Sequence, residues 1–330
     1  MPSNWPRVID LTEGMAMVVT DLHGDWDAYQ RYRDRFLTHF NQGTADFLII
    51  TGDFIHYYGR PEQDQSLRMV LDLLVLRQEL GERLIYLLGN HEIPHIYGFP
   101  LQKGDQLFTP RFEHDLGENR NTVLSLFHSL PFIVRTRAGV SICHAGASDA
   151  VQSREDWGKL RDFSHNALID RAHRILTEGQ RRAVCEAMEG LYRMEFSEIA
   201  HRYFAVEYAD DPWIDHILAG HLVVTSDPEF NFLWQLFFSR NELESGIEAF
   251  EKTVLLFLAS VSADFHEQRL LVSGHIDCVG GFTCVTPRHL RIASAKNAHP
   301  RESGRYLLFD TGKKAASIEG LTSSLGSVWT

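Results

Sequence analysis

The sequence predicts an α/β fold, and three observations carry that reading. Between residues 15 and 88, apolar runs of strand length alternate with amphipathic runs of helix length. Five apolar runs along the chain end in residues able to hold a metal: Asp21 with His23, then Asp53, Asn90, His144 and His275. A polar, helix-patterned stretch over 150–215 interrupts the alternation and reads as a helical insert or lid within a single domain of 1–330.

Each element has a local reason. Residues 15–21 form a continuous apolar strand. A helix follows over 25–40, with Trp26, Tyr29, Phe36 and Phe40 at helical spacing, and Asn41-Gln42-Gly43 stops it. Residues 47–51 make the second strand, closed by Gly52-Asp53. Asp64 can cap a helix over 65–80 that ends at Gly81. The third strand, 83–88, runs into Gly89-Asn90-His91-Glu92. Residues 94–118 carry Gly, Pro and charges, and are expected to form a loop over a site. A short helix over 122–130 stops at Pro131, and 132–141 reads as two strands around Ala138-Gly139. The second of them leads into His144-Ala145-Gly146. Toward the end come a helix over 247–263, a strand over 269–272 leading to Gly274-His275, and a hairpin over 282–295. The last strand is 305–309, and the polar tail after it is expected to be loose.

Composition bounds the function. The chain has 330 residues, 44% of them hydrophobic and 23% charged, as in an ordinary globular protein. A net charge of −12 argues against a dedicated nucleic-acid or membrane-surface binder. Cys143, Cys185, Cys278 and Cys284 form no C-x-x-C pair and read as reduced packing residues, with Cys143 filling core. No secretory leader pattern is visible, and apolar runs such as 253–261 are too short to span a bilayer. The expected location is the cytoplasm.

The strand-end residues suggest a chemistry. Asp21 and His23, two apart on extended chain, point to one side, and Gly24 lets the backbone turn away. In layered α/β proteins ligands gather beyond the carboxyl ends of the strands, which brings distant residues together. Any one of these sites is explained cheaply as a turn, since turns favour Asp, Asn and Gly. Five in one chain are not. Two acids, one amide and three imidazoles suit a pair of divalent ions, and N/O donors without thiolate suit Mn, Fe, Zn or Mg. Asp53, central in chain order and carrying two oxygens, is the candidate bridge.

The series Asp21-Leu22-His23-Gly24, Gly52-Asp53, Gly89-Asn90-His91-Glu92, His144-Ala145-Gly146 and Gly274-His275 resembles the calcineurin-like metallophosphoesterase superfamily. Its D-x-H-G and G-N-H-E forms are most similar to the phosphoprotein phosphatase branch. The resemblance implies a calcineurin-like four-layer sandwich, two mixed β-sheets flanked by helices, with a dinuclear site at its edge. It implies that Asp21, His23 and Asp53 hold the first metal, and that Asp53, Asn90, His144 and His275 hold the second. His91 would then protonate the leaving oxygen while metal-held hydroxide attacks from the other side.

Two departures bear on the substrate. Where that branch continues G-D-x-V-D-R-G, this chain reads Gly52-Asp53-Phe54-Ile55-His56-Tyr57-Tyr58-Gly59. His56 stands in place of an acid, and Tyr57 in place of a phosphate-holding arginine. Arg240 is a candidate second phosphate arginine on a loose match, and an ordinary salt bridge explains it better. Gly220-His221 imitates Gly274-His275 but lacks the hairpin that follows, so His221 is read as structural. The expected activity is metal-dependent hydrolysis of a phosphomonoester, on a phosphoprotein or a small phosphorylated molecule. A phosphodiesterase or dinucleoside-polyphosphate hydrolase is the runner-up, because a diester offers less charge to grip. A non-catalytic binding protein of the same fold is disfavoured by the intact ligand set.

Overall fold

The computed structural model describes residues 5–208, 210–238 and 241–329. The chain divides into two compact units. One comprises Met1–Asn90, Ser129–Phe163 and Gln235–Thr330; the other comprises His91–His128 and Ser164–Trp234.

The first unit is built on two mixed sheets. The strands Met15–Val19, Phe47–Ile50 and Leu84–Tyr86 are parallel neighbours. Tyr306–Asp310 adds antiparallel to Met15–Val19, and Leu325–Gly326 adds antiparallel to that. The second sheet runs Val8–Leu11, Ile133–Thr136, Val140–Cys143, Leu270–Ser273, His289–Ile292 and Phe282–Thr286, in that spatial order. Residues two apart on each strand face the shared core: Ala16 and Val18, Val140 and Ile142, Leu270 and Val272, Leu290 and Ile292, Leu307 and Phe309. The intervening Met17, Val19, Leu48 and Ile50 are buried as well, so these strands are apolar on both faces. That is why 15–19 and 47–50 read as unbroken apolar runs and not as alternation.

The helices obey their sequence signals. Trp26–Asn41 starts at Asp25, whose carboxylate accepts the Ala28 N–H at 3.1 Å, and it buries Tyr29, Tyr32 and Phe36. Asp64 accepts the Ser66 N–H at 2.9 Å at the head of Ser66–Leu80.

Three expectations need correction. Residues 94–118 are not one loop: they contain the helices Ile93–Tyr97 and Thr109–Leu116 and a small Gln102–Lys103/Gln106–Leu107 hairpin. Pro94 and Pro110 read as breakers, but each sits in the first turn of a helix, where its missing N–H costs nothing. The tail is not loose. Ser317 caps the helix Ile318–Thr322, and Ile318 and Leu321 join the core between the sheets. The strand Val8–Leu11 was not anticipated; it lies parallel to Ile133–Thr136, and Asp10 receives two 2.7 Å bonds from Arg135.

The second unit is helical. It holds His165–Ile175, Glu178–Tyr192, Phe196–Phe204 and Trp213–Ser226, together with the short helices after His91. The helix Arg154–Arg161, within the expected 150–215 insert, belongs to the first unit instead. Glu113 anchors the short helices, since its carboxylate meets His95 Nδ1 and Arg120 Nη2 at 2.5 Å each. Gly220 lies in Trp213–Ser226, where a Cβ would fall 1.5 Å from the Tyr97 carbonyl oxygen. The Gly-His imitation at 220–221 is therefore helix packing, not a strand end.

The role of the C-terminal helix is measurable. Leu321→Ala should cost about 2–4 kcal/mol in urea unfolding, as for other buried leucines. Leu191→Ala, at a site 69% exposed, should stay within about 0.5 kcal/mol of the parent.

Candidate metal centre

Four of the expected residues converge within the first unit beyond the strand ends. His144 Nδ1 lies 2.9 Å from the Thr51 carbonyl oxygen, which can only accept, so that nitrogen carries the proton. Nε2 is then the nitrogen left to face the site. Facing it are Asn90 Oδ1 at 2.8 Å, His275 Nδ1 at 3.1 Å and Asp53 Oδ1 at 3.5 Å. Ligands held about 2.1 Å from one ion lie roughly 3–3.5 Å from one another. The spacing and the donor set therefore fit a divalent cation, and Asp53, His144 and His275 form a group able to hold one.

Asp53 looks both ways. While Oδ1 faces His144, Oδ2 lies 3.8 Å from His23 Nε2. His23 is oriented as His144 is, with Nδ1 3.3 Å from the Ile55 carbonyl oxygen. In both rings a backbone carbonyl selects the tautomer and leaves Nε2 toward the same carboxylate. Nothing in the side-chain pattern announces Thr51 or Ile55, because each acts through its main chain.

Asp21 is placed differently. Both of its oxygens accept the His275 N–H at 2.9 Å, and a Cβ on Gly274 would fall 2.0 Å from Oδ2. Its carboxyl is raised to about 7, chiefly by burial; the nearby His144 pulls it down, Asp53 pushes it up, and the His275 N–H pulls it down. His56 is wholly buried, and its backbone N–H donates to Ser66 Oγ at 2.8 Å. His91, one peptide bond beyond Asn90, is buried and packs on Phe108 with ring centroids 5.5 Å apart. Arg240 lies outside the described residues. Cys143 is inert packing, its thiol raised to about 12 by burial.

The backbone is strained where these residues sit. Asp21, His23, Asp53, His56 and His275 all have φ between 44° and 73°. Such left-handed conformations are costly for residues with a side chain and concentrate at functional sites. The first two loops are sewn together, as His23 N–H donates to the Asp53 carbonyl at 2.9 Å and Gly24 N–H to that of Phe54 at 2.8 Å.

The sequence pattern of calcineurin-like phosphoesterases matches residues 16–225. The chain belongs to that family. Its two mixed sheets and flanking helices are the family's α/β fold. No curated protein matches in sequence. Similar solved structures include a Saccharomyces cerevisiae protein serine/threonine phosphatase with similarity to human phosphatase PP5, at 14% identity and TM-score 0.49, covering 97% of this chain and 82% of that one. A cold-active protein-tyrosine phosphatase of a psychrophilic Shewanella species is 14% identical, at TM-score 0.41, over 93% of this chain and 78% of that one. A metallophosphoesterase from Sphaerobacter thermophilus is 11% identical, at TM-score 0.36, over 94% and 91%. No helix among the described residues is long and apolar enough to cross a membrane.

In this phosphoesterase the two glycines that precede Asp53 and Asn90 touch. A Cβ on Gly52, at φ 100°, would fall 2.6 Å from both Cα and N of Gly89. Gly52→Ala should therefore cost about 3 kcal/mol or more in thermal unfolding and weaken Mn²⁺ binding in the same sample. Gly43→Ala is the control; its φ is also positive, at 68°, but no atom lies within 4 Å, so the cost should stay near 1 kcal/mol.

Proposed function

We propose that this phosphoesterase hydrolyses phosphomonoesters with two divalent cations. Asp21, His23 and Asp53 would hold one, and Asp53, Asn90, His144 and His275 the other. The observation that carries the reading is the Asp53 carboxylate, whose two oxygens face two different imidazoles at 3.5 and 3.8 Å.

When bound, such a pair polarises phosphoryl oxygens and lowers the pKa of water. The chain's own residues do the rest. The Thr51 and Ile55 carbonyls fix the tautomers of His144 and His23. The His275 N–H holds the Asp21 carboxylate in place. The His91 imidazole supplies the proton that the leaving oxygen needs, since its ordinary pKa lies near neutrality.

A diesterase reading has one observation in its favour. Tyr57 lines the cavity beside His23, and the arginine there, Arg301, is already bound to Asp25 at 2.8 Å through two nitrogens. No uncommitted guanidinium is on that wall to fork a dianionic phosphate.

Metal analysis and turnover test the proposal together. Asp53→Asn should lose bound Mn²⁺ and activity in parallel, and retention of two equivalents of metal would remove Asp53 as the bridge. His91→Ala should keep its metal and lose roughly 10²–10⁴-fold in kcat, the usual worth of a general acid. With Mn²⁺-loaded protein, 4-nitrophenyl phosphate should be cleaved faster than bis(4-nitrophenyl) phosphate; the reverse order would install the diesterase reading.

A further inference from the structure

A cavity of about 270 Å³ opens beside His23, and Tyr57, Tyr58, Lys296, His299 and Arg301 line it. All of these belong to the first unit. The volume lies just below the range of about 300–1,000 Å³ usual for ligand sites, room for one ring and a compact substituent.

Its cations are not equivalent. Arg301 is fixed: Nε and Nη2 each donate to Asp25 at 2.8 Å, Nη2 also reaches Asp27 at 3.0 Å, and the guanidinium lies 4.3 Å from the Trp329 ring centroid. Its charge is already answered. Lys296 is held loosely, with Nζ 3.5 Å from both Asp277 Oδ1 and Asn297 Oδ1, the outer limit of a hydrogen bond. The same ammonium lies 4.6 Å from the Tyr58 ring centroid. Tyr58 stands edge-on to the His23 imidazole, their centroids 4.9 Å apart. One aromatic ring thus separates a loosely held cation from an expected metal ligand. His299, half exposed, shares Asp277 with Lys296, its Nε2 3.2 Å from Oδ2.

We propose that this cavity seats the leaving group of the substrate: an aromatic ring against Tyr57 and Tyr58, with an anionic substituent paired to Lys296. This rests on the phosphomonoesterase reading above and names the substrate class for it, an aryl phosphate that bears a second negative charge. Aromatic side chains hold a flat ring edge-on or offset. A carboxylate or phosphate on that ring would exchange two 3.5 Å contacts of Lys296 for one short charge-assisted bond. The long lysine stem can make that swing, whereas the doubly tied Arg301 cannot. Tyr57 occupies the position where the resemblance expects a phosphate-gripping arginine, so charge recognition moves from the reacting phosphate to the far end of the leaving group.

The test compares phenyl phosphate with 4-carboxyphenyl phosphate on Mn²⁺-loaded wild type, Lys296→Met and Lys296→Arg. Electronic differences between the two leaving groups cancel when the ratio of kcat/KM is compared across variants. The carboxylate preference should fall by about tenfold in Lys296→Met, through KM, and should largely return in Lys296→Arg. An unchanged ratio in Lys296→Met overturns the proposal. Calorimetric titration with the dephosphorylated product, 4-hydroxybenzoate, gives a readout that needs no turnover. If neither ester is hydrolysed, the phosphomonoesterase reading falls, and product binding still decides the cavity: weaker binding by Lys296→Met supports the assignment, and equal binding ends it.

Discussion

The position of the Asp53 carboxylate is the constraint on which the rest depends. It works only if His144 and His23 each turn Nε2 toward it, and each does so because a main-chain carbonyl holds the opposite nitrogen. Those carbonyls belong to Thr51 and Ile55, two residues either side of Asp53 itself. The loop that carries the shared carboxylate therefore also orients the imidazoles that face it. The two sheets meet at the same place. Gly274 N–H bonds the His144 carbonyl at 2.9 Å within the larger sheet, and His275 N–H reaches across to Asp21 at the end of the smaller one.

This geometry is bought with backbone strain. Five residues with side chains occupy left-handed φ within these loops, each at a cost of about 1–3 kcal/mol. Against a net stability on the order of 5–15 kcal/mol for a typical domain, that is a large demand. It is met by the apolar layer between the sheets, whose strands place Val18, Ile49, Val140, Ile142, Val272 and Leu290 in one cluster. Close packing of the loops adds its own requirement, since Gly52 against Gly89 and Gly274 against Asp21 leave no room for a methyl group.

Sequence reasoning found the parts of this that side chains announce. Apolar runs closed by Gly-Asp, Gly-Asn-His or Gly-His located the strands Met15–Val19, Phe47–Ile50, Leu84–Tyr86 and Leu270–Ser273, because parallel strands buried on both faces leave an unmistakable pattern. The convergence of Asp53, Asn90, His144 and His275 followed from the rule that strand ends meet. What stayed hidden was carried by the main chain or by context. The tautomer-setting carbonyls have no residue signature, and the left-handed φ of Asp21 or His56 cannot be read from an aspartate or a histidine. Pro94 and Pro110 misled because a proline in a first helical turn looks, in sequence, like one that ends a helix. The C-terminal helix was missed because only Ile318 and Leu321 are apolar and buried there, too few to make a period. The Val8–Leu11 edge strand is short, and Asp10 breaks its apolar run, yet Arg135 makes that acid part of the sheet.

The electrostatics tie folding to function at one point. Asp21 is buried with Asp53 nearby, and burial first and the second acid after it raise its carboxyl to about 7, against the lowering effect of His144 and of the His275 N–H. His144 lowers the Asp21 carboxyl, but its Nδ1–H is turned to the Thr51 carbonyl, away from both acids. Added positive charge would favour ionisation of both acids. Divalent cations would supply it where the oxygens and ring nitrogens converge, and the free energy of binding them would also hold the loops together. A side-chain cation would serve stability as well, but it would fill the space a phosphoryl oxygen has to enter. On this argument the chain keeps its cations at the rim of the neighbouring cavity, Arg301 tied to Asp25 and Lys296 loosely beside Asp277, and leaves the centre itself to side chains that carry no fixed positive charge.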